Sequence, residues 1–370
     1  MKRTLFLFVL FAKTITGISQ NFPWQNALVM VRSSDGINFN SPSIFQDSSG
    51  VPCIIHWKGD TLVAVFQWFR QPNPSPSWDR VAVKFSYDNG TNWTPPTPIV
   101  VNNMPVNYQR PFDPTIVVTP DKNIRIFFSS SAGIPIGGLD HTVNTYSAIS
   151  ADGINYTFEP GARFDHPTIK VIDPALTIFN GSWQYTAPIG APNDGAFHCT
   201  SPDGLVFTQL GNLPSDNNHN WTGNMLVDGG LLRFYGSGPT IWRNTSADGV
   251  SWSGYVNTNI VGGDPGIVKL PNGTYLMVYV GPPNIITATI GPATASTIQV
   301  FPNPFHSLVN IKGKTGKRYP YTLYSANGQL ISEGNFTGDI RINTSGLPAG
   351  AYLLATEENK KIWCTKLVKQ

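Results

Sequence analysis

The chain of 370 residues carries 22 acidic and 25 basic side chains, 35 Gly, 31 Pro and 12% aromatic residues, and only 13% of it is charged. Charge at about half the usual 25% or so excludes a coiled coil or helical bundle, and the aromatic and apolar content excludes global disorder. What remains is an all-β, turn-rich chain of two domains, or of one large domain and a tail.

At the N-terminus, Lys2 and Arg3 precede the apolar run Leu5 to Ala12, with small residues at Gly17 and Ser19. This is the pattern of an export signal over residues 1–19, cleaved before Gln20, and the run is too short to span a bilayer. No later stretch reaches 18 apolar residues, so the mature chain is expected to have no transmembrane segment. Residues 20–292 hold 13 basic and 18 acidic groups, a net charge near −5 that disfavours a nucleic-acid partner. Cys53, Cys199 and Cys364 are odd in number and widely spaced, which reads as buried thiols rather than a disulfide framework or a metal knuckle.

The first predicted strand, Ala27 to Arg32, leads into Ser33, Asp35, Gly36 and Phe39. The same pattern returns at Ser86, Asp88, Gly90 and Trp93; Ser150, Asp152, Gly153 and Tyr156; Ser201, Asp203, Gly204 and Phe207; and Ser246, Asp248, Gly249 and Trp252. In each copy Asp can bond its own backbone, Gly supplies a positive φ, and the aromatic ring packs back onto the strand. A second element runs in phase with the first. Asp113-Pro114, Asp173-Pro174 and Asp264-Pro265 each open an apolar strand that passes through a Gly- or Asp-containing turn into an aromatic strand. Val51-Pro52 and Gly223-Asn224 open two degenerate copies.

This is the four-stranded blade grammar of a β-propeller. The unit at Asp264 has no following Ser/Asp/Gly turn, and the turn at Ser33 has no preceding unit. The N-terminal strands are therefore expected to complete the last blade and close a ring of five over residues 20–292, which also removes unpaired edges. After Ala293 the pattern changes to short alternating strands of a small β-sandwich over residues 293–370, marked by Phe301-Pro302-Asn303-Pro304-Phe305, the Asn327-Gly328 turn and Leu347-Pro348-Ala349-Gly350-Ala351-Tyr352.

Those last motifs together resemble the C-terminal sorting domain of the type IX secretion system of Bacteroidetes. The resemblance implies passage across the outer membrane by that machinery, with this domain removed or used for surface attachment. The turn at Ser86 matches in full the Asp box of sialidase-like propellers, and the other four resemble a form one residue shorter. Over roughly residues 27–290, five blades with Asp-Pro inner strands look like the arabinanase, xylosidase, invertase and levanase glycosidases.

Propeller geometry gathers the starts of the innermost strands at one funnel, so Asp113, Asp173 and Asp264 are expected to crowd there, with Asn224 at the matching place on the fourth blade. Like charges in a cleft raise at least one pKa, which lets an acid and a base coexist at neutral pH. The bland alternative is that Asp-Pro only starts a strand, its carboxylate capping local amides. The glycosidase resemblance implies Asp113 or Asp264 as the group that activates water, Asp173 as the carboxylate that tunes it, and a Glu as general acid. Here the chain departs from that pattern. The first blade has Val51, and Glu159, the sole Glu of the main body, follows an outer turn. Asp140-His141 and Asp194 are substitutes on loops, since His also serves as an acid. His56 reads as a core imidazole.

Sialidase chemistry would need an arginine cluster, a Tyr–Glu pair and six blades, and only the arginines (Arg70, Arg110, Arg233, Arg243) are present. For substrate binding the candidates are Trp68 and Trp78, which flank a Pro-rich lip at residues 71–77, with Arg110, Asn224 and Trp242. No cofactor is expected, and calcium at the channel has no loop-type ligand set behind it. The expected function is a secreted, polysaccharide-directed propeller working as an inverting glycosidase. The alternative is a non-catalytic propeller that binds carbohydrate or protein at the cell surface.

Overall fold

The computed structural model describes residues 26–70, 79–133, 141–281, 298–325, 330–358 and 361–370. The expected signal segment 1–19 and the expected boundary at 292/293 lie outside them; the chain divides into two compact units, 1–285 and 286–370. Among the described residues there is no α-helix, only a single 3-10 turn at Pro192–Asp194, and no helix long and apolar enough to cross a membrane.

The first unit is a five-bladed β-propeller. Its first blade is Ser49–Lys58, Thr61–Trp68, Arg80–Ser86 and Thr97–Pro98; the third is Ala175–Phe179, Ser182–Pro188, Ala196–Ser201 and Thr208–Gln209; the fourth is Asn220–Asp228, Leu231–Ser237, Trp242–Ser246 and Val256–Asn257. The second blade, Phe112–Val118, Ile124–Ser131, Val143–Ser150 and Asn155–Phe164, gains a fifth strand, Val100–Asn102, paired in parallel with its outermost. In the fifth, Gly263–Lys269 and Tyr275–Val280 are completed by Leu28–Ser33 and Asn40–Gln46, so the N-terminal strands close the ring. The innermost strands lie against one another in the cyclic order one to five and back to one.

The five Ser/Asp/Gly turns join the third and fourth strands of each blade. At the fourth copy in the sequence, Ser201 Oγ accepts the Gly204 amide at 2.9 Å while Asp203 Oδ1 accepts the Leu205 amide at 2.8 Å. The other four repeat this hydroxyl-to-glycine bond. Gly204 has φ +74°, and a Cβ there would stand 2.6 Å from the Trp183 ring, so only glycine fits without displacement. The turns also fasten neighbouring blades: Arg32 donates to Gly90 O at 2.7 Å, Arg125 to Asp203 O at 2.9 Å, and Tyr235 to Gly36 O at 3.0 Å.

The serine of each turn fixes the register of its blade. Ser86, Ser150, Ser201, Ser246 and Ser33 pair with Leu62, Ile124, Trp183, Leu232 and Tyr275. Three residues further along those second strands stand Val65, Phe127, Thr186, Tyr235 and Val278, whose partners on the innermost strands are Cys53, Thr115, Ala175, Asn224 and Gly266. Two residues upstream of that level lie Val51, Asp113, Asp173, Thr222 and Asp264. Asn224 is therefore not the fourth-blade counterpart of the aspartates. Gly223 stands where the other blades carry proline, and Thr222 holds the aspartate position.

The second unit packs a three-stranded sheet, Gln299–Phe301, Leu308–Lys312 and Asp339–Asn343, and a four-stranded sheet, Leu330–Thr337, Arg318–Ser325, Gly350–Glu358 and Lys361–Lys369, around Phe305, Val309, Ile311, Tyr319, Leu323, Leu354 and Leu367. It is a β-sandwich with its own core.

Candidate active site

The innermost strands of the first, second, fourth and fifth blades are interrupted by register shifts at the level of Val51, Asp113, Thr222 and Asp264. At those breaks Val51, Asp113 and Asp264 adopt left-handed φ of 46°, 49° and 45°, and Asp173 opens the third blade at 53°. Positive φ at a non-glycine residue ahead of proline is a strained arrangement, and strain of this kind collects at functional positions. A break in the ladder also re-aims the side chain.

The aspartates meet as a result. Burial, then the charge of Asp264, pushes the Asp113 carboxyl up to about 7, against the pull of a Ser129 hydrogen bond, the Asp173 amide and Lys170. Burial, then Asp113 and Asp264, holds Asp173 well above the ordinary range, with Lys170 opposing. Burial also raises Asp264, moderated by Thr222 and Ser237 hydroxyls; the Asp264 amide bonds Ser237 Oγ at 2.8 Å. Three half-buried carboxyls that act on one another titrate as a set rather than singly.

A cleft of about 350 Å³ opens over this group, lined by Val51, Gln67, Phe69, Asp79, Gln109, Arg110, Phe112, Asp113, Asp264 and Val280, with Asn26, Ser49 and Gly50. Beneath it a void of about 10 Å³, near the size that holds one water, touches Asp173, Asp264 and Asn224. Apolar walls with a few convergent polar groups are the usual make-up of a small-ligand site. Among the described residues no cluster of three or more His, Cys, Asp and Glu is arranged to hold a metal ion.

The other expected site residues divide sharply. Arg110 lines the cleft, where its guanidinium forms an ion pair with Asp79 and its Nε donates to the Asp79 carbonyl at 2.7 Å. Asp79 itself escaped the sequence reading, although it is the one carboxylate directly following the Pro-rich lip. Asn224 is buried at 7% exposure, accepting from Thr115 Oγ1 at 2.8 Å and donating to Pro52 O at 3.2 Å, so it ties three blades together rather than meeting a substrate. Trp242 is fully buried, its Nε1 bonded to Ser237 O at 2.7 Å, and Trp68 is 7% exposed in the core shared by the fifth and first blades. Neither ring has a face free for stacking.

His141 is exposed ahead of Val143–Ser150 and borders none of these cavities; Asp140 and Trp78 lie outside the described residues. Glu159 pairs with Arg125 at 3.0 Å and accepts from Ser147 at 2.6 Å on the second blade. Asp194 caps its own 3-10 turn through the Ala191 amide at 2.8 Å. His56 borders a separate opening of about 300 Å³ among the innermost strands.

Residues 299–370 match the family model described as the secretion system C-terminal sorting domain. The chain thus carries a type IX secretion address and is destined for the cell surface or the extracellular space. No curated protein matches the sequence. Among solved structures it is similar to an α-L-arabinofuranosidase from Clostridium thermocellum (12% identity, TM-score 0.47, 79% of this chain and 95% of that one). It is also similar to a glycosyl hydrolase from Bacteroides ovatus (13%, 0.45, 63% and 84%) and to an exo-β-1,3-galactanase from Phanerochaete chrysosporium (10%, 0.45, 88% and 95%).

Proposed function

We propose that the protein is a secreted glycoside hydrolase that cleaves polysaccharide at the cleft over Asp113, Asp173 and Asp264. The observation that carries this reading is that Asp113 shares the cleft with Asp264 while burial and the Asp264 charge push it up to about 7. A carboxyl poised there holds a proton at neutral pH and can release it to a leaving group. In this mechanism Asp113 protonates the glycosidic oxygen as the bond from the anomeric carbon breaks. Asp264 takes a proton from the water that attacks the opposite face, and each bond cleaved consumes one water. Asp264 supplies the repulsion that keeps Asp113 protonated, while Asp173, itself held well above the ordinary range by Asp113 and Asp264, orients Asp113 through its backbone amide.

The rival reading, a non-catalytic polysaccharide- or protein-binding propeller, is favoured by Val51 at the aspartate position of the first blade. The test is release of sugar by the full chain from a panel of plant and algal polysaccharides, with Asp113→Asn beside the wild type. A loss of about 10²–10⁴-fold in the variant supports the acid role. Equal release by the variant sinks the assignment, and binding without any release hands the case to the rival.

A further inference from the structure

The described residues that line the cleft supply one cation, and that cation is already engaged. Among the described lining residues Arg110 is the only basic side chain, against the carboxyls of Asp79, Asp113 and Asp264. Arg110, on the segment entering the second blade, meets Asp79 of the first through the carboxylate and the backbone carbonyl. The remaining carboxylate oxygen, Asp79 Oδ1, accepts from Gln67 Nε2 at 2.5 Å, and Asp79 is held at φ 51°. The two side chains are 43% and 25% exposed, so the pair contributes little to stability. Its effect is on charge: it cancels the one group able to grip an anion with a planar, two-toothed fork.

We propose that Asp79 is a specificity-determining residue that reserves the cleft for uncharged sugars and turns away uronates and other anionic ones. The proposal rests on the glycan reading above and names its substrate class. An incoming carboxylate would find Arg110 satisfied and would approach Asp113 and Asp264, while Lys170, which acts on Asp113 and Asp173, is not among the residues lining the cleft. Exclusion of this kind works by repulsion and by withholding a partner, not by a better fit to the preferred ligand.

Asp79→Asn keeps an oxygen for Gln67 but sets an amide nitrogen against the guanidinium, releasing Arg110 Nη2 and its charge without changing volume, while Nε keeps the backbone carbonyl of residue 79. Binding is measured by titration calorimetry with full-length protein, using a trimer of galacturonic acid and the matching uncharged galactose trimer. In Asp79→Asn the uronate should bind on the order of tenfold or more tightly than to wild type. Adding Arg110→Gln should abolish that gain, and Asp79→Ser serves as a second variant should the Asn protein melt early. The proposal is overturned if wild type already prefers the uronate, if neither Asp79 variant gains uronate binding, or if the gain survives loss of Arg110. Sugar release is scored separately, so failure of the hydrolytic reading is told apart from failure of charge selection.

Discussion

Two sets of aspartates in one ring behave in opposite ways. In the outer turns, Asp35, Asp88, Asp203 and Asp248 sit in water and are held below the ordinary carboxylate range, chiefly by backbone amides two to four residues ahead. Asp152 follows the same course, its slight burial outweighed by donors from Asn155 and Ile154. At the axis, Asp113, Asp173 and Asp264 are raised by burial, with Asp264 adding to the rise of Asp113, and Asp113 and Asp264 to that of Asp173. The outer set occurs once per blade and closes a turn each time, which is what a fold requires. The axial set occupies three of five equivalent places, and Val51 and Thr222 fill the other two. A motif that repeats with the architecture reports architecture; one that breaks the symmetry is where chemistry is to be sought.

The largest effect expected from this contrast is on rate. Asp264→Asn removes the proposed base and should lower initial rates of sugar release by about 10²–10⁴-fold, whereas Asp203→Asn should leave them within about twofold. Comparable losses in both would break the distinction. Next in size is stability, where the outer turns should dominate. Gly204→Ala combines a φ of +74° with a contact 2.6 Å from Trp183 and 2.8 Å from Arg125 Nη1, and should cost about 2–5 kcal/mol in urea unfolding. Gly181→Ala has nearly the same φ, +76°, but open space around it, and should cost about 1–2 kcal/mol. If the two cost the same, crowding against Trp183 and Arg125 is not what selects glycine at this turn.

The outer set was legible in the sequence because its bonds are local: Ser, Asp and Gly within four residues make the whole turn. Closure of the last blade was legible for a related reason, since an orphan turn and an orphan strand pair point to each other. The axial aspartates could be placed because they keep phase with those turns. Asn224 was set two residues out of place because Gly223 replaces the proline that marks the level elsewhere, and only the pairing of Asn224 with Tyr235 restores the count. The Asp79–Arg110 pair joins residues 31 apart on different blades, and no spacing rule reaches across a ring. Trp68 and Trp242 were misread because strand alternation does not tell a ring wedged between blades from one facing a ligand.

The smallest effect is on the pH dependence of melting, and there the two sets should differ in sign. Asp113 has a folded pKa of about 7 against 3.8 for the free group. Below pH 4 both folded and unfolded chains hold its proton, and the group favours neither. Between pH 4 and 7 the unfolded chain loses the proton while the folded chain keeps it, so stability falls as pH rises, and above 7 the full penalty is present. Asp113→Asn lifts that penalty, so its Tm should match wild type at pH 4 and exceed it at pH 8. The gain should be a few degrees, corresponding to about 1–2 kcal/mol once screening at an open cleft is allowed for. Asp203 runs the other way. Its lowered pKa stabilises the fold above the free value and ceases to do so as pH falls through the folded one, so Asp203→Asn should melt early at pH 8 and lose that deficit progressively in acid below the free value. Tryptophan fluorescence reads the propeller selectively, because nine of the ten Trp residues precede residue 286. Shifts of the same sign in both variants at pH 8 would mean that the axial carboxyls are ionised and solvated after all, and the acid assigned to Asp113 would have no proton to give.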